Sequence, residues 1–227
     1  MNIGLALLLA LPAPLIGGLV WLRVGRLRPV SSRIVLAVLG ASVGLGAGAL
    51  YLEHLLLRFT DLSLRVEGGN AGTAALAMFL LAAPLEEAAK VGCVWPLYAT
   101  GRLLSPRVGL LYGVMAGVGL SVVELIWASR GVELSGLTGA QLLLAIPLQL
   151  FASGLWGYWL GRGDRPRGKW FRVAWLIAVA IHGLYALLIS SGSPKLVASA
   201  LPLALSMGAT GWLALRDMTP IEGSMGH

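Results

Sequence analysis

The segment "LAAPLEEAAKVG", Leu81 to Gly92, places two acids and a base in a stretch that is otherwise apolar. Glu86, Glu87 and Lys90 lie near the centre of a run long enough to cross a bilayer, which needs about 20 apolar residues. A charge at the bilayer centre costs about 2.5–3.5 kcal/mol on insertion scales, so charged residues there are candidates for function. The segment therefore predicts a membrane helix that carries part of a buried polar site.

The rest of the chain has the composition of a polytopic membrane protein. Of its 227 residues, 57% are hydrophobic and 12% are charged, whereas soluble domains have about 25% charged residues. We expect one integral-membrane domain over residues 1–227, with an all-α fold and no separate soluble domain. About seven transmembrane helices are predicted, at residues 3–21, 33–52, 73–99, 107–128, 139–161, 171–190 and 196–215.

The net charge of +7 does not indicate nucleic-acid binding, because the basic residues lie between apolar spans. Bases follow spans one, three and five: Arg23, Arg26, Arg28, Arg33, Arg102, Arg107, Arg162, Arg165, Arg167, Lys169 and Arg172. The other loops carry mixed or few charges: Arg58, Asp61, Arg65, Glu67, Arg130, Glu133 and Lys195. The positive-inside rule predicts that the N-terminus is outside and the C-terminus inside. Anionic lipid is the expected partner of the inner basic loops.

Small residues recur at four-residue spacing in three spans, which predicts that these helices approach closely. The ladders are Gly40, Gly44 and Gly48 in span two; Gly109, Gly113, Gly117 and Ser121 in span four; and Ser153, Gly157 and Gly161 in span five. Glu124 continues the ladder of span four, and Gln149 precedes that of span five by four residues. Both are therefore expected to face the interior of the bundle.

Six polar side chains are predicted at membrane depth: Glu86, Glu87, Lys90, Glu124, Gln149 and His182. Adjacent helix residues point about 100° apart, so Glu86 and Glu87 reach different neighbours, and Lys90 pairs well with only one of them. The surplus of carboxylates requires a proton, a metal ion or a charged His182. Positions along the predicted spans allow these residues to form one cluster.

Two prolines precede the polar residues closely. Pro84 lies before the acid pair and Pro147 lies before Gln149. Each removes a backbone hydrogen bond and tends to kink its helix. Irregular backbone at membrane depth is tolerated where it lines a wet cavity or is buried in protein, and the sequence leaves open whether these kinks are routine or mark a cavity.

A buried carboxylate beside a second acid and an imidazole has the chemistry to activate water. Other intramembrane hydrolase designs do not fit. The context of Ser153, "FASGLWG", lacks the expected G-x-S-G pattern, and no H-E-x-x-H is present. Asp61, Asp164 and Asp217 all fall in predicted loops or tails, so glutamate is the acid left in the predicted spans.

The segment "PLEEAAK" is similar to the E-E-x-x-K motif of the PrsW family of intramembrane proteases, relatives of the type II CAAX prenyl endopeptidases and bacteriocin-processing proteins. "GVMAGVGLSVVE", which ends at Glu124, resembles the second motif of that family. "LQLFASGLWGYWLG" resembles the third, and "IHGLYALL" resembles the fourth, with His182 at the histidine position. The resemblance covers about 73–190, with peripheral helices over 1–52 and 196–215.

This resemblance implies catalytic roles for four residues and supporting roles for two: catalytic Glu86, Glu87, Glu124 and His182, and supporting Lys90 and Gln149. The chain departs from the family pattern at Gln149, where the third motif usually has histidine, and at Ala186, where the fourth often has asparagine. Glutamine can donate a hydrogen bond to an oxyanion but cannot transfer protons. Zinc would find one imidazole only, so we expect glutamate-activated water, no required metal, and only weak support for a divalent ion.

The resemblance implies an intramembrane endopeptidase of the prokaryotic cytoplasmic membrane. Its implied substrates are single-span or lipid-anchored membrane proteins, anti-sigma factors among them. The main alternative is an inactive scaffold of the same fold, distantly like the anterior-pharynx-defective subunit of gamma-secretase, which shares the predicted topology. A proton-coupled transporter is a third hypothesis, although no inverted repeat relates the two halves of the chain.

Overall fold

The computed structural model describes residues 8–27, 29–60, 62–64, 70–103, 105–128, 136–163, 169–191 and 193–216. Its helices are α1 (Pro12–Gly25), α2 (Ser32–Arg58), α3 (Ala71–Ala77), α4 (Ala83–Ala99), α5 (Pro106–Ala128), α6 (Gly136–Arg162), α7 (Lys169–Ile189) and α8 (Pro194–Arg216). A π-helical turn, Met78–Ala82, joins α3 to α4. The predicted all-α polytopic bundle is confirmed.

Among the described residues, six helical segments are long and apolar enough to cross a membrane: Leu8–Gly25, Ser32–Arg58, Pro106–Ala128, Gly139–Arg162, Lys169–Ile189 and Pro194–Arg216. The other predicted span, 73–99, corresponds to α3, the π-helical turn and α4 together. It differs from the six because the π-helical turn interrupts it and because α4 carries Glu86, Glu87 and Lys90. The charged segment is thus built into the bundle as a continuous helical segment that contains a π-helical turn.

Many of the charges behind the predicted topology lie outside the described residues: Arg28, Asp61, Arg65, Glu67, Arg130, Glu133, Arg165 and Arg167. Asp164 and Asp217 lie outside them as well. The orientation with the N-terminus outside therefore stays a prediction from the charge pattern.

Helices α5 and α6 form a close antiparallel pair at the centre of the bundle. A Cβ atom added to Gly117 would lie 2.6 Å from the carbonyl oxygen of Gln149, and one added to Gly157 would lie 2.5 Å from that of Gly109. Real Cβ atoms do not approach other atoms so closely, so these positions require glycine. The close packing predicted for the ladders of spans four and five is confirmed, and it sets Gln149 against α5.

The ladder of span two does not make the contact that its spacing suggested. A Cβ atom at any of its three glycines would meet nothing within 4 Å: Gly40, Gly44 and Gly48. The face of α2 that packs against α5 instead carries Ser42 and Gly46, which approach Gly119 and Leu120. The expectation was wrong because small residues occur on two faces of this helix, and only one of them has a neighbour.

Helices α2 and α5 run in the same direction. Ser42 lies beside Gly119, and further along both helices the ring of His54 packs edge-on against that of Trp127, 6.0 Å between centroids. Both helices therefore end on the same face of the bundle.

Helix α7 ends on that face too. The Tyr185 hydroxyl donates to the carbonyl oxygen of Leu144 at 2.9 Å, while nearer the other ends Trp156 packs edge-on against Phe171. Hence α7 is antiparallel to α6, which is itself antiparallel to α5. We term the face where α2, α5 and α7 end the outer face, because the charge pattern predicts that it lies outside.

The backbone irregularity expected near Pro84 takes the form of the π-helical turn just before it. Pro84 lies in the first turn of α4, where a missing N–H is tolerated. A Cβ atom at Gly183 would lie 2.7 Å from the ring of Phe79 in the π-helical turn. Because His182 precedes Gly183, this close approach brings the histidine of α7 to the acids of α4. Pro147 lies inside α6.

Candidate active site

Four helices bring the six predicted polar residues into one connected cluster: Glu86, Glu87 and Lys90 from α4, Glu124 from α5, Gln149 from α6 and His182 from α7. Five of them are at most 5% exposed, and Glu124 is partly buried. Buried polar groups at this depth persist only when they are hydrogen-bonded or paired. The contacts within the cluster therefore decide what each residue can do.

Glu87 is held by donors from three helices. Its Oε1 lies 2.5 Å from Lys90 Nζ and 2.9 Å from His182 Nδ1, and its Oε2 accepts from Trp156 Nε1 at 2.8 Å. The side chain is fully buried. Charge-assisted bonds of this kind are the strong ones in a low-dielectric interior, so Glu87 is fixed as an ionised acceptor.

Gln149 connects the base to the remaining acids. Its Oε1 accepts from Lys90 Nζ at 2.5 Å, and its Nε2 donates to Glu86 Oε2 at 3.0 Å and to Glu124 Oε2 at 2.8 Å. An ammonium group offers donors only, which orients the amide so that its NH₂ faces the two carboxylates. Gln149 thus holds Glu86 and Glu124 together.

His182 lies between the two adjacent acids of α4. With Nδ1 directed at Glu87, its Nε2 faces Glu86 Oε2 at 3.6 Å. A carboxylate can only accept, so Nδ1 carries the proton of that hydrogen bond. The two glutamates, adjacent in sequence, therefore have different environments: Glu87 orients the ring, and Glu86 faces the nitrogen left available for chemistry.

A seventh polar residue, Glu53 of α2, belongs to this region and is absent from the predicted set. It is 6% exposed, and its Oε2 has no hydrogen-bond partner among the described residues. The carboxylates of Glu86 and Glu124 act on it electrostatically. The prediction ended span two at residue 52, whereas α2 runs to Arg58, so Glu53 lies inside the membrane helix.

Trp156 is the other contributor that the sequence did not indicate. Its side chain is fully buried, unlike Trp170 and Trp212, which are 50% and 68% exposed. Nothing in the sequence distinguishes it from a tryptophan at the membrane interface, because its partner Glu87 lies 69 residues away.

Two cavities border this part of the bundle. A small one, with room for about one water molecule, is lined by Ser121, Glu124, Leu125, Leu142, Ala145 and Ile146. A larger, mostly apolar cleft between α6, α7 and α8 is lined by Phe151, Ile181, Leu184, Tyr185, Leu203, Ser206, Met207 and Thr210. Only the small cavity contains a residue of the polar cluster.

The model of the PrsW family of intramembrane metalloproteases matches residues 28–210. The chain belongs to the PrsW family. No curated protein and no solved structure matches it. The match begins before α2 and so includes Glu53, whereas the resemblance seen in the motifs began at residue 73. Family membership and the apolar helices make the chain an integral membrane protein, and membership supports intramembrane protease function.

The family description implies a metal, and a divalent ion requires several carboxylate, imidazole or thiolate ligands directed at one point. Within the part of the chain that the structure describes, no three His, Cys, Asp or Glu side chains are arranged to hold a metal ion. The space between Glu86 and Glu124 is taken by the Gln149 amide nitrogen, which is a donor and not a ligand. As arranged, these residues do not fit a metal centre.

Proposed function

We propose that this chain is an intramembrane endopeptidase in which Glu86 activates a water molecule and His182, oriented by Glu87, assists. The observation that carries the assignment is the position of the imidazole, with Nδ1 on Glu87 and Nε2 facing Glu86. A general base must reach the proton it removes and be free to accept it. Glu86 is freer than Glu87 to accept a proton.

Glu87 is unsuited to accept a proton. Protonation would weaken its bond to Lys90 and leave a buried ammonium group without its carboxylate partner, which is costly in a low-dielectric interior. Glu86 receives a hydrogen bond from the neutral amide of Gln149 and can gain a proton without separating an ion pair. The sequence left the choice between the two acids open, and we assign the base to Glu86.

The reaction follows from these positions. Glu86 takes a proton from water as the water oxygen attacks the carbonyl carbon of the scissile peptide. A protonated His182 Nε2 donates to the developing oxyanion. As the intermediate collapses and the C–N bond breaks, Glu86 returns its proton to the leaving amine, so no net proton is consumed.

Gln149 acts as a positioning residue in this proposal. Both hydrogens of its amide nitrogen are committed to Glu86 and Glu124, which argues against a direct role as oxyanion donor. It replaces the usual histidine of the family motif with a group that fixes two carboxylates. The arrangement requires no metal for the steps described above.

The substrates proposed are single-span or lipid-anchored membrane proteins of a prokaryotic cytoplasmic membrane, with anionic lipid at the inner basic loops. Their support is the burial of the cluster within apolar helices, which restricts access to chains already in the bilayer. His182 lies about 10 Å before the end of α7 by helix rise. We therefore expect cleavage within the outer half of the membrane.

The test is cleavage of a fluorescent single-span substrate by the purified full-length protein in lipid vesicles. We expect turnover by the wild type and its loss in Glu86→Gln and His182→Ala. The control is His54→Ala, which removes a histidine that packs against Trp127 rather than against the acids. Equal turnover in wild type and Glu86→Gln would refute the assignment.

The scaffold hypothesis makes the opposite prediction. A hydrogen-bonded network of this kind also specifies a unique core, so a non-catalytic relative would retain it. In that case the wild type cleaves no substrate in vesicles and instead co-purifies with a stable membrane partner. Proton flux into sealed vesicles that requires Glu124 would instead support a transporter.

A further inference from the structure

We infer that Glu53 binds the water used in hydrolysis and that this water enters from the outer face. This inference rests on the proposed function, which supplies the reaction that consumes the water. It adds a residue from α2 to a site otherwise built from α4, α5, α6 and α7.

The first observation is the unsatisfied oxygen of Glu53. Only 6% of the residue is exposed, and Oε2 has no hydrogen-bond partner among the described residues. A buried unpaired carboxylate oxygen is costly, and such atoms in native proteins usually contact water or serve in function. A partner for this oxygen must therefore donate a hydrogen bond.

The described protein groups nearby do not supply that donor. Among the described residues of the packed helices, the charged groups that act on Glu53 electrostatically are the carboxylates Glu86 on α4 and Glu124 on α5. The cation of α4, Lys90, contacts Glu87 and Gln149. On α2 itself, the neighbouring His54 packs against Trp127. Water, which both donates and accepts, satisfies Glu53 and can pass a proton to the acid beside it.

The second observation is the position of Glu53 along its helix. It lies about 7 Å before the end of α2 at Arg58, and Glu124 lies about 6 Å before the end of α5, by a rise of about 1.5 Å per residue. These helices are parallel, so both carboxylates approach the outer face at the same level. Gln149, by contrast, lies at the centre of α6.

The third observation is the small cavity beside Glu124. Its polar lining consists of Ser121 and Glu124, and its size suits about one water molecule. This cavity, which Glu124 lines and Glu53 does not, shows that a water molecule fits beside an acid that shares the Gln149 amide with Glu86. We take the route from the outer face to pass Glu53 and Glu124.

The route is tested with single cysteines. Cys93 is the only cysteine of the chain, so Cys93→Ala provides a cysteine-free background. We expect Glu53→Cys to react with a membrane-impermeant methanethiosulfonate added to spheroplasts, because thiolates form in water and not in lipid. The controls are Ser42→Cys, buried on the same face of α2, and Gly44→Cys, on its unpartnered face; neither should react.

Function is tested with Glu53→Leu, which removes the carboxylate at similar volume. We expect kcat to fall about tenfold or more with KM unchanged and the melting temperature equal or higher, because a polar group that is costly to bury is replaced by an apolar side chain of similar size. Normal kcat would overturn the inference. A loss of kcat together with a lower melting temperature would show a structural role and would also overturn it.

Other outcomes separate the two proposals. A wild type that cleaves nothing refutes the protease, while labelling of Glu53→Cys still decides whether water reaches this position. If Glu53→Cys is not labelled in spheroplasts, or is labelled only in inside-out vesicles, water does not reach this position from the outer face. That result overturns the outer route even if cleavage occurs. Binding of Zn²⁺ or Mg²⁺ to the wild type but not to Glu53→Leu, measured by calorimetry, would show that a cation occupies the position instead of water.

Discussion

His182 Nδ1 lies 2.9 Å from Glu87 Oε1, deep in the bundle, although the two residues are 95 positions apart in the chain. A carboxylate that accepts from one imidazole nitrogen fixes the tautomer and the ring orientation, and thereby decides what the other nitrogen does. Here the other nitrogen faces Glu86. Two identical neighbouring side chains thus have different partners, and the different roles that we propose for them rest on this difference.

Glutamine variants of the two acids should separate these roles. Glu86→Gln keeps the shape but removes the base, so we expect kcat to fall about 10²–10⁴-fold with the thermal unfolding of the detergent-solubilised protein nearly unchanged. Glu87→Gln should lower both kcat and stability, because Lys90 loses its carboxylate, at a cost of about 3–5 kcal/mol. Equal destabilisation by the two variants would contradict the assignment.

A double-mutant cycle should isolate the Lys90–Glu87 ion pair. Lys90→Met alone leaves Glu87 buried and ionised without its lysine, and we expect a loss of about 3–5 kcal/mol in the free energy of unfolding. Replacing both, as Lys90→Met with Glu87→Leu, should recover much of that loss, since apolar residues often substitute for a buried pair at little cost. Unfolding free energies of the four proteins give the coupling, and simple additivity would show that the pair is not coupled.

The metal question can be decided by chelation. Because the Gln149 amide lies between Glu86 and Glu124 and Lys90 is bonded to Glu87, we expect the vesicle-reconstituted protein to retain more than about half of its turnover after dialysis against EDTA or 1,10-phenanthroline. If three carboxylates and one imidazole instead bound a catalytic metal ion, removal of that ion by the chelator would abolish nearly all activity. Loss of cleavage that Zn²⁺ restores would mean that the site rearranges around a metal, with Gln149 displaced.

Much of this architecture could be predicted from the sequence. Apolar runs and loop charges identify the spans, and the four-residue ladders of α5 and α6 identify a close pair. Because Glu124 and Gln149 extend those ladders, their inward orientation follows from helical periodicity alone. The motif around Glu86 indicated which polar residues belong to the candidate site, and the structure confirms that the six predicted polar residues form one connected cluster.

Glu53 was missed for a physical reason. Hydropathy ends a span where polar residues begin, but a helix continues for as long as its backbone bonds are satisfied, and α2 extends to Arg58. Its packed face has small or polar residues at Ser42, Gly46, Ala49 and Glu53, a spacing of four, three and four. The more regular glycine ladder on another face of α2 obscured that pattern, because sequence alone does not show which face has a neighbour.

A glycine of α6, Gly157, and one of α2, Gly44, provide a matched test of the packing. Gly157→Ala puts a Cβ atom 2.5 Å from the carbonyl oxygen of Gly109, so α5 and α6 must separate, and we expect a loss of about 1–3 kcal/mol in the free energy of unfolding. Gly44→Ala meets nothing within 4 Å and should be neutral or stabilising by up to about 1 kcal/mol, from helix propensity. Because Gln149 lies two turns from Gly157 on the same packed face, the first variant should also lower kcat by displacing the amide from Glu86 and Glu124. Thermal unfolding and cleavage assays on both variants check this, and a Gly157→Ala protein as stable and active as Gly44→Ala would disprove the close pairing of α5 and α6.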